Sequence, residues 1–124
     1  MVKGIGIDIE PIERLETMLA RYDRETLRLI FTPGELDLQE KTYAPALYLA
    51  LCFSAKEAVS KALGTGFSTI DWNEIESEVI GEQKQIRITL SGKALRQAQS
   101  LAATSWVASW SSWEGQVVVT VVVE

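Results

Sequence analysis

The stretch APALYLALCFSAKEAVSKALGTG, residues 44–66, decides the fold. From Ala44 to Leu63 it contains no glycine and has proline only near its start, where the first turn of a helix accepts it. Gly64 and Gly66 then supply the stop. The pattern predicts one long helix, the spine of the domain. At 100° per residue, Leu51, Ala55, Ala58, Val59, Ala62 and Leu63 gather on a core-facing arc. Ser54, Glu57 and Lys61 gather on a separate arc. Glu57 and Lys61 are four apart, the spacing of a solvated ion pair worth about 0.3–0.5 kcal/mol. The same arc running into Gly-Thr-Gly also suits a ligand, because glycines let backbone approach it closely. Both readings stand at this point.

Upstream of the helix, Val2–Glu10 reads as a strand. Its period of two sets Asp8 and Glu10 on one face and Ile5, Ile7 and Ile9 on the other. Ile12, Leu15, Met18, Leu19 and Tyr22 follow at helical spacing, and Asp23 suits the cap of a short helix through Ile30. Thr32-Pro33-Gly34-Glu35 has the form of a capping box and starts a helix to about Lys41. Downstream, Ile75–Ile80 and Gln85–Leu90 form a strand pair, and Ser91 caps a helix to about Ala103. Trp106–Ser111 and Gln116–Val123 make a final hairpin. One strand, several helices and then β-β-α-β-β predict an α+β domain with a mainly antiparallel sheet packed on the long helix. The last strand, QVVVTVVV, is apolar on both faces; it is either central or buried in an oligomer interface.

Bulk properties narrow the function. The chain has 124 residues, enough for one domain spanning 1–124. Its net charge of −5 argues against nucleic acid as a partner. With no histidine, triads and metal sites that need imidazole are excluded. The chemistry falls to carboxylates, lysine, hydroxyls or a hard cation. The single Cys52 rules out a disulfide framework, MVKGIGIDIE lacks the form of a signal peptide, and no apolar run reaches bilayer length. These features predict a soluble cytoplasmic domain without a membrane role. Asp8 and Glu10, two carboxylates at one strand end, with a nearby lysine suit Mg²⁺ and a polyphosphate.

GIGIDI at 4–9, FTPGE at 31–35 and FSAKEAVSKALGTG at 53–66 occur in the order and spacing of the holo-acyl-carrier-protein synthases. That family is the small, single-repeat branch of the phosphopantetheinyl transferases, and the resemblance covers almost the whole chain. It implies transfer of phosphopantetheine from coenzyme A to a serine of an apo acyl carrier protein, fatty-acid or polyketide, with release of adenosine 3′,5′-bisphosphate. On that resemblance Asp8 and Glu57 match Mg²⁺ ligands. Lys61 matches a lysine at the pyrophosphate, and Gly64, Thr65 and Gly66 match a loop beside the coenzyme. It further implies a homotrimer with active sites between subunits, and docking of the carrier's acidic helix on Arg14, Arg21 and Arg24. The alternative for those arginines is a solvated face among Glu13, Glu16, Asp23 and Glu25.

The chain departs from the pattern in places. Asp8-Ile9-Glu10 has the Asp-x-Glu form of the larger two-repeat transferases, so Glu10 is either a third metal ligand or an exposed strand end. Ser109-Trp110-Ser111-Ser112 ends in serine where the family carries histidine, leaving Ser111 and Ser112 as donors to the coenzyme phosphates. Cys52 replaces an arginine, and Glu82-Gln83-Lys84-Gln85 replaces a Gly-Lys-Pro turn. These losses keep open a rival class, a coenzyme A or carrier-protein binding module of the same fold without turnover. Trp72, Trp106, Trp110, Trp113 and Met18 read as packing residues.

Overall fold

A computed structural model describes residues 1–124. The chain runs β1 (Gly4–Pro11), α1 (Ile12–Arg21), α2 (Arg24–Leu27), α3 (Pro33–Gln39) and α4 (Pro45–Ala62). A 3-10 turn (Trp72–Glu74), β2 (Ile75–Ile80), β3 (Gln85–Leu90), α5 (Gly92–Ser100), β4 (Trp106–Trp113) and β5 (Gln116–Val123) complete it. The expected α+β order and the long helix are present. All strand pairs are antiparallel in one sheet ordered β1-β5-β4-β3-β2.

The local signals act largely as their chemistry dictates. Asp23 accepts the Thr26 amide at 2.8 Å and caps α2, which ends earlier than expected, at Leu27. Thr32 and Glu35 close both halves of the capping box of α3. Ser91 sits at the cap position of α5 but makes no side-chain cap bond; the Glu74 carboxylate accepts the Lys93 amide instead. A carboxylate is the stronger acceptor at a helix N-terminus.

The core lies between α4 and the sheet. Leu51, Ala55, Ala58, Val59, Ala62 and Leu63 are buried, as the helical plot requires, and Leu49 is buried with them. Val117, Val119, Val121 and Val123 meet them from β5, which is an interior strand between β1 and β4. Trp72 stacks between Phe53 and Phe67, with ring centroids 5.0 and 3.9 Å away. Met18, Trp106 and Trp110 also pack on the core, whereas Trp113 is exposed. Between β3 and β4 backbone pairing covers only Gln85–Ser109 and Ile86–Ala108. Beyond it the Trp106 indole donates to the Ile88 carbonyl at 2.9 Å and spans the widening gap.

Strand β1 inverts the usual polarity. Its isoleucines face outward, with Ile5, Ile7 and Ile9 exposed by 59, 53 and 56%. Gly6, Asp8 and Glu10 face the helix. Val107 on β4 shares that face and is linked to Ile5 through the half-buried Val122 of β5, while Val118 flanks Ile9. No helix of the chain is long and apolar enough to cross a membrane.

Candidate active site

The site begins with two glycines. A Cβ on Gly4 would overlap the Ala62 carbonyl oxygen, and one on Gly6 would overlap that of Ala58. Only bare backbone lets β1 lie this close to α4. Alternation then delivers Asp8 to the helix one step beyond Gly6.

Both oxygens of Asp8 are held. Oδ1 accepts Lys61 Nζ at 3.0 Å, and Oδ2 accepts the Ser54 hydroxyl at 2.9 Å. Lys61 also donates to the Ile7 carbonyl at 3.1 Å, and Ser54 also reaches the Asp8 carbonyl. The polar arc of α4 therefore faces β1. Lys61 pairs with Asp8 across the helix–strand contact, not with Glu57 along the helix. The surface pair that the four-residue spacing allowed is absent, and Lys61 is held instead by Asp8 and the Ile7 carbonyl together.

Glu10 is buried, which removes the exposed-strand-end reading. It faces Arg14 at 3.0 Å, one helical turn on, yet its Oε1 has no aligned hydrogen-bond donor. Burial pushes the Glu10 pKa up, Arg14 pulls it back, and the charges of Asp8 and Glu57 push it further. Burial and Asp8 likewise raise Glu57, against Lys61 and Arg14. Three carboxylates thus feel one another, and two cations, Lys61 and Arg14, hold them together. All-oxygen donors and an underbonded buried Glu10 suit a hard divalent cation. The three are not gathered at ligand distance: Asp8 is turned to Lys61 and Ser54, and Glu10 to Arg14.

The Gly-Thr-Gly loop follows directly. Gly64 and Gly66 have φ of 80° and 56°, in the left-handed region glycine favours. The amide of Gly64 donates to the Lys61 carbonyl, and those of Thr65 and Gly66 donate to the Ser60 carbonyl. Helix-end carbonyls need partners, so these amides close α4 instead of standing free for a ligand. Open space remains over both glycines, where an added Cβ would meet nothing within 4 Å.

Ser111 and Ser112 are exposed on β4. Ser112 is in register with Val117 and, through it, with Glu10; Ser111 aligns with Val118 and Ile9. Alternation therefore sets Ser112 on the carboxylate side of the sheet and Ser111 on the isoleucine side. Among the arginines, Arg14 is paired with Glu10 and Arg21 is exposed. Arg24 is clamped by Asp37 and Glu40, both at 2.7 Å, so its charge is spent within the chain.

Two features escape the sequence reading. Ser54 is fully buried, and its hydroxyl orients Asp8. Lys56 is fully buried too and pairs with the equally buried Glu35 at 2.8 Å. A signal existed for it. Lys56 shares a helical stripe with Cys52, Val59 and Leu63, and a lysine on an apolar stripe needs a buried partner.

The sequence matches the profile of the 4′-phosphopantetheinyl transferase superfamily over residues 4–122. The holo-[acyl-carrier-protein] synthase of Solidesulfovibrio magneticus is 38% identical over 100% of this chain and 99% of its own. The crystal structure of the Neisseria meningitidis holo-[acyl-carrier-protein] synthase superposes with a TM-score of 0.85 at 29% identity, covering 100% of this chain and 99% of that one. That of the Helicobacter pylori enzyme in complex with coenzyme A gives 0.78 at 30% identity, over 97% and 99%. With its fold and its length in agreement, the chain belongs to the holo-[acyl-carrier-protein] synthase family of the 4′-phosphopantetheinyl transferase superfamily.

Proposed function

We propose that this protein transfers 4′-phosphopantetheine from coenzyme A to a serine of an apo acyl carrier protein, with Mg²⁺, releasing adenosine 3′,5′-bisphosphate. The carrying observation is the approach of β1 to α4, which sets Asp8 at 3.0 Å from Lys61 and within electrostatic reach of Glu57. In the reaction the carrier serine oxygen attacks the phosphorus next to the pantetheine, and the bond from that phosphorus to the bridging oxygen breaks. Glu57, whose raised pKa makes it the better proton acceptor, takes the serine proton, directly or through a water. Lys61, half exposed on a flexible stem, turns to the pyrophosphate and offsets charge on the departing bridging oxygen. Asp8, Glu57 and Glu10 would hold Mg²⁺, which when bound supplies charge neutralisation at the pyrophosphate. If Glu10→Ala left the Mg²⁺ dependence of turnover unchanged, Glu10 would not be a ligand.

Coenzyme A lies along the open side of Gly64–Gly66, with Ser112 the nearer of the two β4 serines to donate to its phosphates. The acidic carrier docks on Arg21 of α1 and on the exposed side of Arg14, which pairs with Glu10 alone, whereas Arg24 is held by two carboxylates. The outward strip of Ile5, Ile7, Ile9 and Val107 supports association of copies as a homotrimer, since water rarely borders so much contiguous apolar surface. Light scattering that returned a clean monomer mass would contradict it. We place the protein in the cytoplasm, serving a fatty-acid or polyketide carrier.

Incubation with Mg²⁺, coenzyme A and an apo carrier protein, followed by intact mass spectrometry, tests the activity. A carrier mass gain of one phosphopantetheine group is expected. Binding without transfer would instead mark a module that has lost turnover, the reading favoured by Ser112 in place of histidine and by the occupied loop amides.

A further inference from the structure

We propose that the buried Lys56–Glu35 pair is a positioning device that sets the rotation of α4 and thereby aims Glu57 and Lys61 at β1; its catalytic consequence rests on the transferase reading above. Against β1, α4 presents Ala58 and Ala62 to Gly4 and Gly6. Such small contacts allow close approach, and resistance to rotation on this face comes only from the bonds of Ser54 and Lys61 to β1, the very contacts that must be aimed. On its other side the helix is pinned. Lys56 Nζ donates to the Trp72 carbonyl at 3.0 Å and to the Ile75 carbonyl, and it pairs with Glu35 Oε1 at 2.8 Å. Glu35 in turn accepts the Thr32 amide at 2.9 Å and the Ser77 amide at 2.8 Å. One ammonium therefore ties α4 to α3, the 3-10 turn and β2, with all but the part-buried Trp72 bond out of water.

The anchor is the residue immediately before Glu57, so helix geometry links the two at 100°. A rotation of about 20°, at roughly 5–6 Å from the helix axis, displaces a side-chain tip by about 2 Å. Misplacement by about 1 Å is enough to lower a rate by ~10²-fold. A buried ion pair is weak evidence of stabilisation in itself, which leaves specificity of geometry as its role.

The test is Lys56→Met, with kcat expressed per folded molecule from circular dichroism well below the melting temperature. A fall in kcat of tenfold or more, with the coenzyme A KM within twofold of wild type, is expected. The NMR nuclear Overhauser contacts between Ser54 and Asp8 should weaken while those within the Phe53–Trp72–Phe67 stack persist. Unchanged kcat per folded molecule together with unchanged Ser54–Asp8 contacts would overturn the proposal and leave the pair a purely structural role. If wild type itself shows no transfer, the transferase reading fails and the Overhauser contacts alone decide the positioning. Should Lys56→Met not fold, Glu35→Gln, which keeps the shape and one acceptor, is judged by the same two criteria.

Discussion

Substituting Gly6 by alanine probes the contact on which the site depends. The new Cβ would lie 2.8 Å from both the Ala58 carbonyl carbon and the Ala62 nitrogen, and nearer still to the Ala58 oxygen. Carbon contacts settle at about 3.5–4.0 Å, so strand and helix must part by about 1 Å. Every atom in the way is backbone, so no rotamer change relieves the overlap. Overpacking of this kind costs about 1–3 kcal/mol. For 124 residues the unfolding entropy is about 0.26 kcal/mol per degree, so Tm should fall by about 4–12 °C. The same displacement carries Asp8 off Lys61, and a shift of about 1 Å predicts a loss of ~10²-fold in kcat. Gly81→Ala is the matched control. Gly81 has φ of 54° with nothing within 4 Å of an added Cβ, so alanine there bears about 1–2 kcal/mol of left-handed strain. Thermal melts and the carrier mass-gain assay on both variants separate stability from geometry. Comparable melting losses with kcat reduced only in Gly6→Ala are expected. Equal kcat in the two variants would refute the idea that close backbone approach builds the site.

Ser54→Ala removes the donor on Asp8 Oδ2, a bond to a charged group worth about 1.5–3 kcal/mol, and should raise the Mg²⁺ concentration for half-maximal rate. Denaturant melts and Mg²⁺ titrations matching wild type would exclude Ser54 from the site. Glu57 keeps its proton to higher pH folded than unfolded, so its contribution to stability declines as pH rises from the ordinary 4.5 through the raised folded value. Glu57→Gln should therefore melt higher than wild type at about pH 7, converge with it below about pH 4, and lose transfer. A lower melting temperature at neutral pH would contradict that sign. Arg21→Glu should raise the carrier-protein KM, with a larger effect at low salt, and spare the coenzyme A KM. Charge reversal is best placed at Arg21, because reversing Arg14 would also strip Glu10 of its counter-ion.

Element types were legible because each rested on a local rule. The glycine-free run marked α4, T-x-x-E marked the start of α3, alternation marked β1, and an unbroken valine run marked β5. The family motifs singled out Asp8, Glu57 and Lys61, which β1 and α4 then bring together. What stayed hidden were choices between partners distant in sequence. Lys61 has Glu57 one turn away, yet it pairs with Asp8, 53 residues earlier, because packing β1 on α4 offers it the Asp8 carboxylate and the Ile7 carbonyl at once. Lys56 and Glu35 meet only once α3 and α4 have packed. Glu35 could be read as the closing member of a capping box, but nothing local announced its second role. At Gly-Thr-Gly, where the glycines suited close approach of a ligand, the carbonyls ending α4 take the three backbone amides.

The inverted polarity of β1 joins these observations. A strand that buried Ile5, Ile7 and Ile9 would gain more apolar area, but it would turn Asp8 and Glu10 to solvent. It would also press β-branched side chains on Ala58 and Ala62. The observed register does the reverse, and what holds it is the surface of α4. The helix presents Lys61 and Ser54 where only a carboxylate answers, and bare carbonyls where only glycine fits. Because side chains alternate with a period of two, a slip of one residue against β5 would exchange the faces entirely. It would remove the carboxylates from the helix and the apolar strip from the outer face in one step. Site and outer surface are therefore encoded together, and inserting one residue between Glu10 and Pro11, which shifts the strand against its anchor at α1, should abolish both turnover and self-association. Loss of only one of them would show that the two faces of β1 are set independently.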